Sequence, residues 1–183
     1  MTQLIVALDT EESLRLIGPL RLEGVTFFKL NAATIMEPSF FDVLHFLSSM
    51  EVDWFADMKI YDTADTVYAV ARRAFELGAR FLTVHATSSM LDAAMRARPP
   101  GDYHKVLAVS TLTDMAHGVD HSDVSGLYLA DGLVCSVATA RWLRSGFSET
   151  ICPLHPNHVL VCPGIRRAKV MERQSDYDVA RYR

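Results

Sequence analysis

The chain has 183 residues and a mass of 20.4 kDa; half of the residues are hydrophobic and 22% are charged. That length fits one domain, 1–183, with enough chain to bury a core, and the composition excludes a disordered chain, a collagen-like repeat and a disulfide scaffold. A net charge of −4 with a sequence pI near 5.9 offers no basic excess for a nucleic-acid groove.

Three cysteines, Cys135, Cys152 and Cys162, form no C-x-x-C pair. They argue against a disulfide framework or a cysteine zinc site and fit a reducing cytoplasm. The N-terminus, MTQLIVALDTEES, has no basic region ahead of its short apolar run, so no signal peptide is expected. No stretch approaches the ~18 apolar residues of a membrane span.

Short apolar runs recur along the chain at 4–9, 26–31, 54–60, 81–86, 106–112, 132–136 and 159–165. They are apolar on both faces and separated by helix-length segments, which predicts buried parallel strands. Segment 64–77 places Val67, Val70, Ala71, Ala74 and Leu77 on one helical face, and Gly78 follows where a left-handed C-cap would sit. Segments 11–22, 38–49 and 88–97 are also expected to be helical. Pro38 stands at a first-turn position, and Pro99-Pro100-Gly101 marks a stop. Alternating strand and helix predicts an α/β fold, and seven such units favour a TIM (β/α)8-type barrel over an open nucleotide-binding sheet. Neither G-x-G-x-x-G after the first strand nor G-x-x-x-x-G-K-[ST] is present, which lowers an open nucleotide-binding sheet.

The chemistry concentrates in the third strand, Trp54-Phe55-Ala56-Asp57-Met58-Lys59-Ile60-Tyr61-Asp62. A period of two puts Asp57 and Lys59 on one face and Ala56, Met58 and Ile60 on the other. With the apolar set against the helices, the charged pair points into the barrel near the strands' C-terminal ends, where barrel active sites lie. Lys29 comes late in the second strand and Asp9 ends the first. A lone charge buried there costs several kcal/mol unless paired, and these residues can pair with one another. Two structural readings compete: Asp9-x-x-Glu12 also fits a capping box, and Asp62 also fits a cap for helix 64–77.

Further along, Pro163-Gly164-Ile165-Arg166 ends the seventh strand in a turn with an arginine, suited to a phosphate at a late barrel loop. His85 ends the fourth strand and points inward, where a core histidine and a ligand contact are equally plausible. His117 and His121 with Asp123, or His155 with His158, are conceivable metal clusters; neither has helical spacing or a cysteine partner, so no metal is expected.

The motif Asp57-x-Lys59-x-x-Asp62 with Thr66 resembles the signature of orotidine 5′-monophosphate decarboxylases. So do Leu4-Ile5-Val6-Ala7-Leu8-Asp9, Lys29, Val84-His85-Ala86, the run 107–113, the run 131–136 and Pro163-Gly164-Ile165-Arg166, in order from about residue 4 to 166. The resemblance implies a homodimeric (β/α)8 barrel that converts orotidine monophosphate to uridine monophosphate and CO2 without metal or organic cofactor. It implies a charged array of Lys29, Asp57, Lys59 and Asp62, with Asp62 and Thr66 reaching the neighbouring subunit's site. Asp9 and Lys29 would hold the ribose, Ser110 the pyrimidine, and Pro163, Arg166 and Gln174 the phosphate region. Keto-gulonate-phosphate decarboxylase and hexulose-phosphate synthase share the Asp-x-Lys-x-x-Asp motif, but typically carry an acid where Lys29 stands and lack the Pro-Gly-Ile-Arg turn.

Only 17 residues follow Arg166, and they contain no Gly-Arg and no convincing strand, so the barrel is expected to be altered or incomplete at strand 8. Two further readings therefore stand beside the decarboxylase: a non-catalytic nucleotide-binding or dimerisation relative, and a phosphosugar lyase of the same barrel group.

Overall fold

The computed structural model describes residues 3–109, 128–145 and 158–163. Its elements alternate as expected. β1 (Val6–Leu8) leads through α1 (Glu11–Leu14) and α2 (Ile17–Leu22) to β2 (Phe27–Asn31). Then come α3 (Ala32–Ile35), α4 (Phe40–Ser49), β3 (Asp53–Ile60), α5 (Ala64–Glu76), β4 (Phe81–His85) and α6 (Ser88–Ala97). Among the described residues the rest are β5 (Lys105–Val109), β6 (Gly132–Val134), α7 (Val137–Arg144) and β7 (Val159–Val161). The strands form one sheet in chain order, β1 to β7, and every neighbouring pair is parallel. Parallel neighbours need crossovers, which the helices supply.

Two cores sit on opposite faces of this sheet. The larger packs Leu8, Phe28, Leu30, Trp54, Leu82 and Leu133 of the sheet side against helix residues such as Ile17, Leu47, Val67 and Leu91. The smaller joins Phe27, Phe55, Phe81, Leu107, Val109 and Val134, with Ile5, Val159 and Val161 packed against them. Ile5 directly precedes β1, and the other residues come from β2 to β7. A cluster touched from all seven positions requires the sheet to curl around it, as in the interior of a barrel. Its centre is aromatic: Phe81 meets Phe27 edge-on at 4.9 Å between ring centroids and Phe55 at 5.8 Å, a favoured aromatic geometry.

Local signals explain the boundaries. α5 buries Val67, Ala71 and Ala74 on the predicted face, together with Phe75. It ends in a Schellman motif: Gly78 has φ +87°, its N–H donates to the Phe75 carbonyl (2.9 Å), and the Ala79 N–H donates to Ala74 (3.0 Å). Gly132 is needed for a different reason, since a Cβ there would lie 2.1 Å from the Val159 carbonyl oxygen.

Some expectations need correction. Segment 11–22 is two short helices rather than one, and Pro38 precedes the α4 N-cap, Ser39, instead of lying in the first turn. β1 and β7 are the two ends of the described sheet; the expected alteration at strand 8 falls on residues outside the described ones.

Candidate active site

The side chains directly above the aromatic cluster are polar. Lys29 follows Phe27 by two residues on β2, Asp57 follows Phe55 on β3, and Thr83 follows Phe81 on β4. A period of two therefore stacks a polar layer on an apolar one, at the C-terminal end of the strands. Asp9 comes to the same place from the end of β1.

These residues form a continuous chain of opposite charges. The Lys29 ammonium lies 2.9 Å from Asp9 Oδ1 and 3.1 Å from Asp57 Oδ2. The Lys59 ammonium lies 2.8 Å from that same Asp57 Oδ2. The other Asp57 oxygen, Oδ1, accepts a hydrogen bond from the Thr83 hydroxyl at 3.0 Å. Asp57 is only 8% exposed. Burial by itself raises its pKa, but the Lys59 hydrogen bond and the charges of Lys29 and Lys59 outweigh that, leaving it below the ordinary aspartate value. The site thus holds a firmly ionised carboxylate flanked by two ammonium groups.

Asp9 is available for this because it does not cap α1. Thr10 does, in a reciprocal box with Ser13: the Ser13 N–H donates to Thr10 Oγ1 (3.2 Å) and the Thr10 N–H to Ser13 Oγ (3.1 Å). The capping reading of Asp9 is overturned by a frame offset of one residue. Asp62 is not the α5 cap either. Thr63 is the N-cap, without a side-chain cap bond, and Asp62 Oδ1 accepts only the adjacent Thr63 N–H at 2.6 Å among the described residues.

Asp62 and Thr66 are both exposed, and among the described residues neither makes a hydrogen bond or ion pair with the array. The Thr66 hydroxyl lies 3.0 Å from that of Thr63. Pro163 follows β7 and is half-buried. Ser110, Arg166 and Gln174 lie outside the described residues, as do His117, His121, Asp123 and His155. No group of three or more His, Cys, Asp or Glu side chains able to hold a metal occurs among the described residues.

Three contributors were not singled out by sequence. Asn31 caps α3, its Oδ1 accepting from the Thr34 N–H at 2.9 Å. The buried Thr34 hydroxyl also reaches the Leu8 carbonyl (3.0 Å), tying the end of β1 to the end of β2 beside the Asp9–Lys29 pair. Thr83 is the third. Strand parity places it beside Asp57, but parity alone does not separate a bonded threonine from a packed one. His85, further along β4, stacks edge-on against Tyr61 at 5.3 Å, and its pKa is lowered by burial and then by the Lys59 charge.

The model of the orotidine 5′-phosphate decarboxylase / HUMPS family matches residues 2–179. The chain belongs to that family. It is 32% identical to the orotidine 5′-phosphate decarboxylase of Methylorubrum extorquens, over 91% of this chain and 75% of that protein. It is also 32% identical to the enzyme of that name from a Nostoc species, over 90% and 76%. Among solved structures it resembles the orotidine 5′-phosphate decarboxylase of Lactobacillus acidophilus, with a TM-score of 0.66 and 27% identity, over 91% of this chain and 82% of the other. This places the fold in the barrel class of the decarboxylase family, with seven strands in the described part.

Proposed function

We propose that this chain decarboxylates orotidine 5′-monophosphate to uridine 5′-monophosphate, a step of pyrimidine nucleotide synthesis, with no cofactor. The observation that carries the reading is the Asp9–Lys29–Asp57–Lys59 chain, in which two ammonium groups share one carboxylate oxygen at the mouth of a barrel of this family. Such a site suits a reaction in which negative charge develops on carbon.

The C6–carboxylate bond of the pyrimidine breaks, CO2 departs, and the electron pair stays on C6. Lys59, held by Asp57, stabilises that carbanion as a fixed positive charge and then donates a proton to C6, regaining one from solvent afterwards. Asp57 orients both ammonium groups, and Lys29 with Asp9 binds the ribose hydroxyls. Ser110 addresses the pyrimidine, and Pro163, Arg166 and Gln174 the phosphate end, whose binding energy is used at the reacting carbon. Asp62 and Thr66, exposed and away from the array, complete the site of a second copy in a homodimer. Tyr61, next to Asp62, is 71% exposed, which fits a face covered by that copy. The proposed setting is the cytoplasm; no described helix is long and apolar enough to cross a membrane.

Sugar-phosphate relatives with Asp-x-Lys-x-x-Asp typically carry an acid where Lys29 stands, and the Lys29 bonds to both Asp9 and Asp57 support the nucleotide substrate. Purified full-length protein should deplete orotidine monophosphate absorbance and release CO2, with a keto-sugar phosphate as the comparison substrate. Absence of turnover, with Lys59→Ala indistinguishable from the parent, rejects the reading; binding of uridine monophosphate without turnover points to a non-catalytic relative.

A further inference from the structure

β3 and β4 fall out of step beside the charged array. Ala56 pairs with Leu82 and Ile60 with Val84, so β3 advances four residues while β4 advances two. The two extra residues form a bulge, and bulges beside active sites re-aim side chains. Lys59 lies in it with φ +48°, a left-handed backbone that residues other than glycine rarely adopt. Something must hold Lys59 there, because the regular β3–β4 ladder is interrupted at this point.

Among the described residues, the side chain that meets the Lys59 backbone is Thr83. The Lys59 backbone N–H donates to Thr83 Oγ1 at 2.8 Å. An N–H can only donate, so the hydroxyl accepts there and directs its own proton to Asp57 Oδ1, 3.0 Å away. Thr83 has no solvent exposure. Its hydroxyl is therefore committed at both ends, to the backbone of the lysine and to the carboxylate that pairs with the lysine's ammonium.

We propose that Thr83 is a positioning residue: its hydroxyl holds the β3 bulge and the Asp57 carboxylate together, and so fixes where the Lys59 ammonium stands over the substrate. The kinetic consequence rests on the decarboxylase reading; the effect on Asp57 does not.

The test compares Thr83→Val, which keeps the shape and removes the hydroxyl, with Thr83→Ser, which keeps the hydroxyl. Thr83→Val is expected to lower kcat about 10–100-fold with KM changed by less than about 3-fold, the scale of effect when reacting groups are slightly misplaced. Thr83→Ser is expected to stay within about 3-fold of the parent in kcat, a rescue by the retained hydroxyl. Carbon-13 NMR titration of Asp57, without substrate, should show a higher midpoint in Thr83→Val than in the parent and a parental midpoint in Thr83→Ser. Where Thr83→Val does not fold, Thr83→Ala carries the same comparison. Parental kcat without the hydroxyl, equal kcat loss in the serine and valine variants, or an unmoved Asp57 titration overturns the proposal. A parent inactive on orotidine monophosphate rejects the decarboxylase reading instead, and the titration still decides the role of Thr83.

Discussion

Both ends of the barrel carry buried or half-buried aspartates from the same strand, with Phe55 between them. At the N-terminal end, Asp53 binds the Arg80 guanidinium through Oδ2 and accepts the Tyr103 hydroxyl on Oδ1 at 2.8 Å. Arg80 lies over the rings of Phe27, Phe81 and Tyr103 at 5.4–5.6 Å, within cation–π range. Nearby, Asp131 pairs with Arg98 at 3.2 Å and accepts the Val106 N–H at 2.8 Å. At the C-terminal end, one Asp57 oxygen serves two ammonium groups and Asp9 stands exposed beyond them. The lower acid has one cation of its own and a hydroxyl; the upper acid is shared. Charged residues at a barrel end therefore do not by themselves mark chemistry. A closed set of partners reads as structural, while an open chain of shared charges, with Asp9 exposed at one end and Lys59 part-exposed at the other, leaves groups for a ligand to meet.

The contrast is broken most severely at the upper end. Lys59→Ala should reduce kcat by about 10⁴-fold or more, since it removes both the fixed charge and the proton donor, while leaving the melting temperature within a few degrees. Steady-state kinetics and calorimetry on one preparation check both halves. Phe55→Ala, between the two aspartates, should cost about 3–5 kcal/mol of stability in denaturant titration, as large aromatic truncations in a core do.

Asp53→Ala reverses the first pattern. It leaves Arg80 half-buried without its carboxylate and should cost about 1–3 kcal/mol, with kcat per folded molecule unchanged. A large kcat loss there, measured well below the melting temperature, would erase the distinction between the ends. The smallest effect is in acid. Because Asp57 is held below 3.8, the unfolded chain binds a proton on it before the folded chain does as pH falls. Its contribution is complete above about pH 3.8 and declines as pH drops toward the folded-state value. The stability gap between the parent and Asp57→Asn, followed by melting from pH 7 downward, should narrow only in that acid range. Tyr103 behaves oppositely in kind: burial and then Asp53 push it up to about 12, so it remains a hydroxyl donor across the whole experiment.

Much of this was legible in the residues. Apolar runs separated by amphipathic stretches located the strands, because strands buried on both faces have few other compositions. Parity put Asp57 and Lys29 inside, and the structure pairs Lys29 with both Asp57 and Asp9; Lys59 also meets Asp57, but from a bulge rather than from regular alternation. What escaped shares one cause: hydrogen bonds that depend on neighbouring strands. Asp9 and Thr10 both begin a plausible capping box, and only the geometry selects Thr10. Thr83 reads as a strand residue like any other, because the bulge it supports belongs to β3. Asn31 and Thr34 are ordinary in sequence, yet link two strand ends that lie 22–26 residues from their partners.

The ring of phenylalanines beneath the array also acts as an electrical floor. Phe27, Phe55 and Phe81 form an apolar layer beneath Asp57, so the field of the two ammonium groups is less screened on that side than at the exposed Asp9 side. The barrel thus gives an alternating row of charges two unlike sides, aromatic beneath and polar toward the C-terminal ends of the strands.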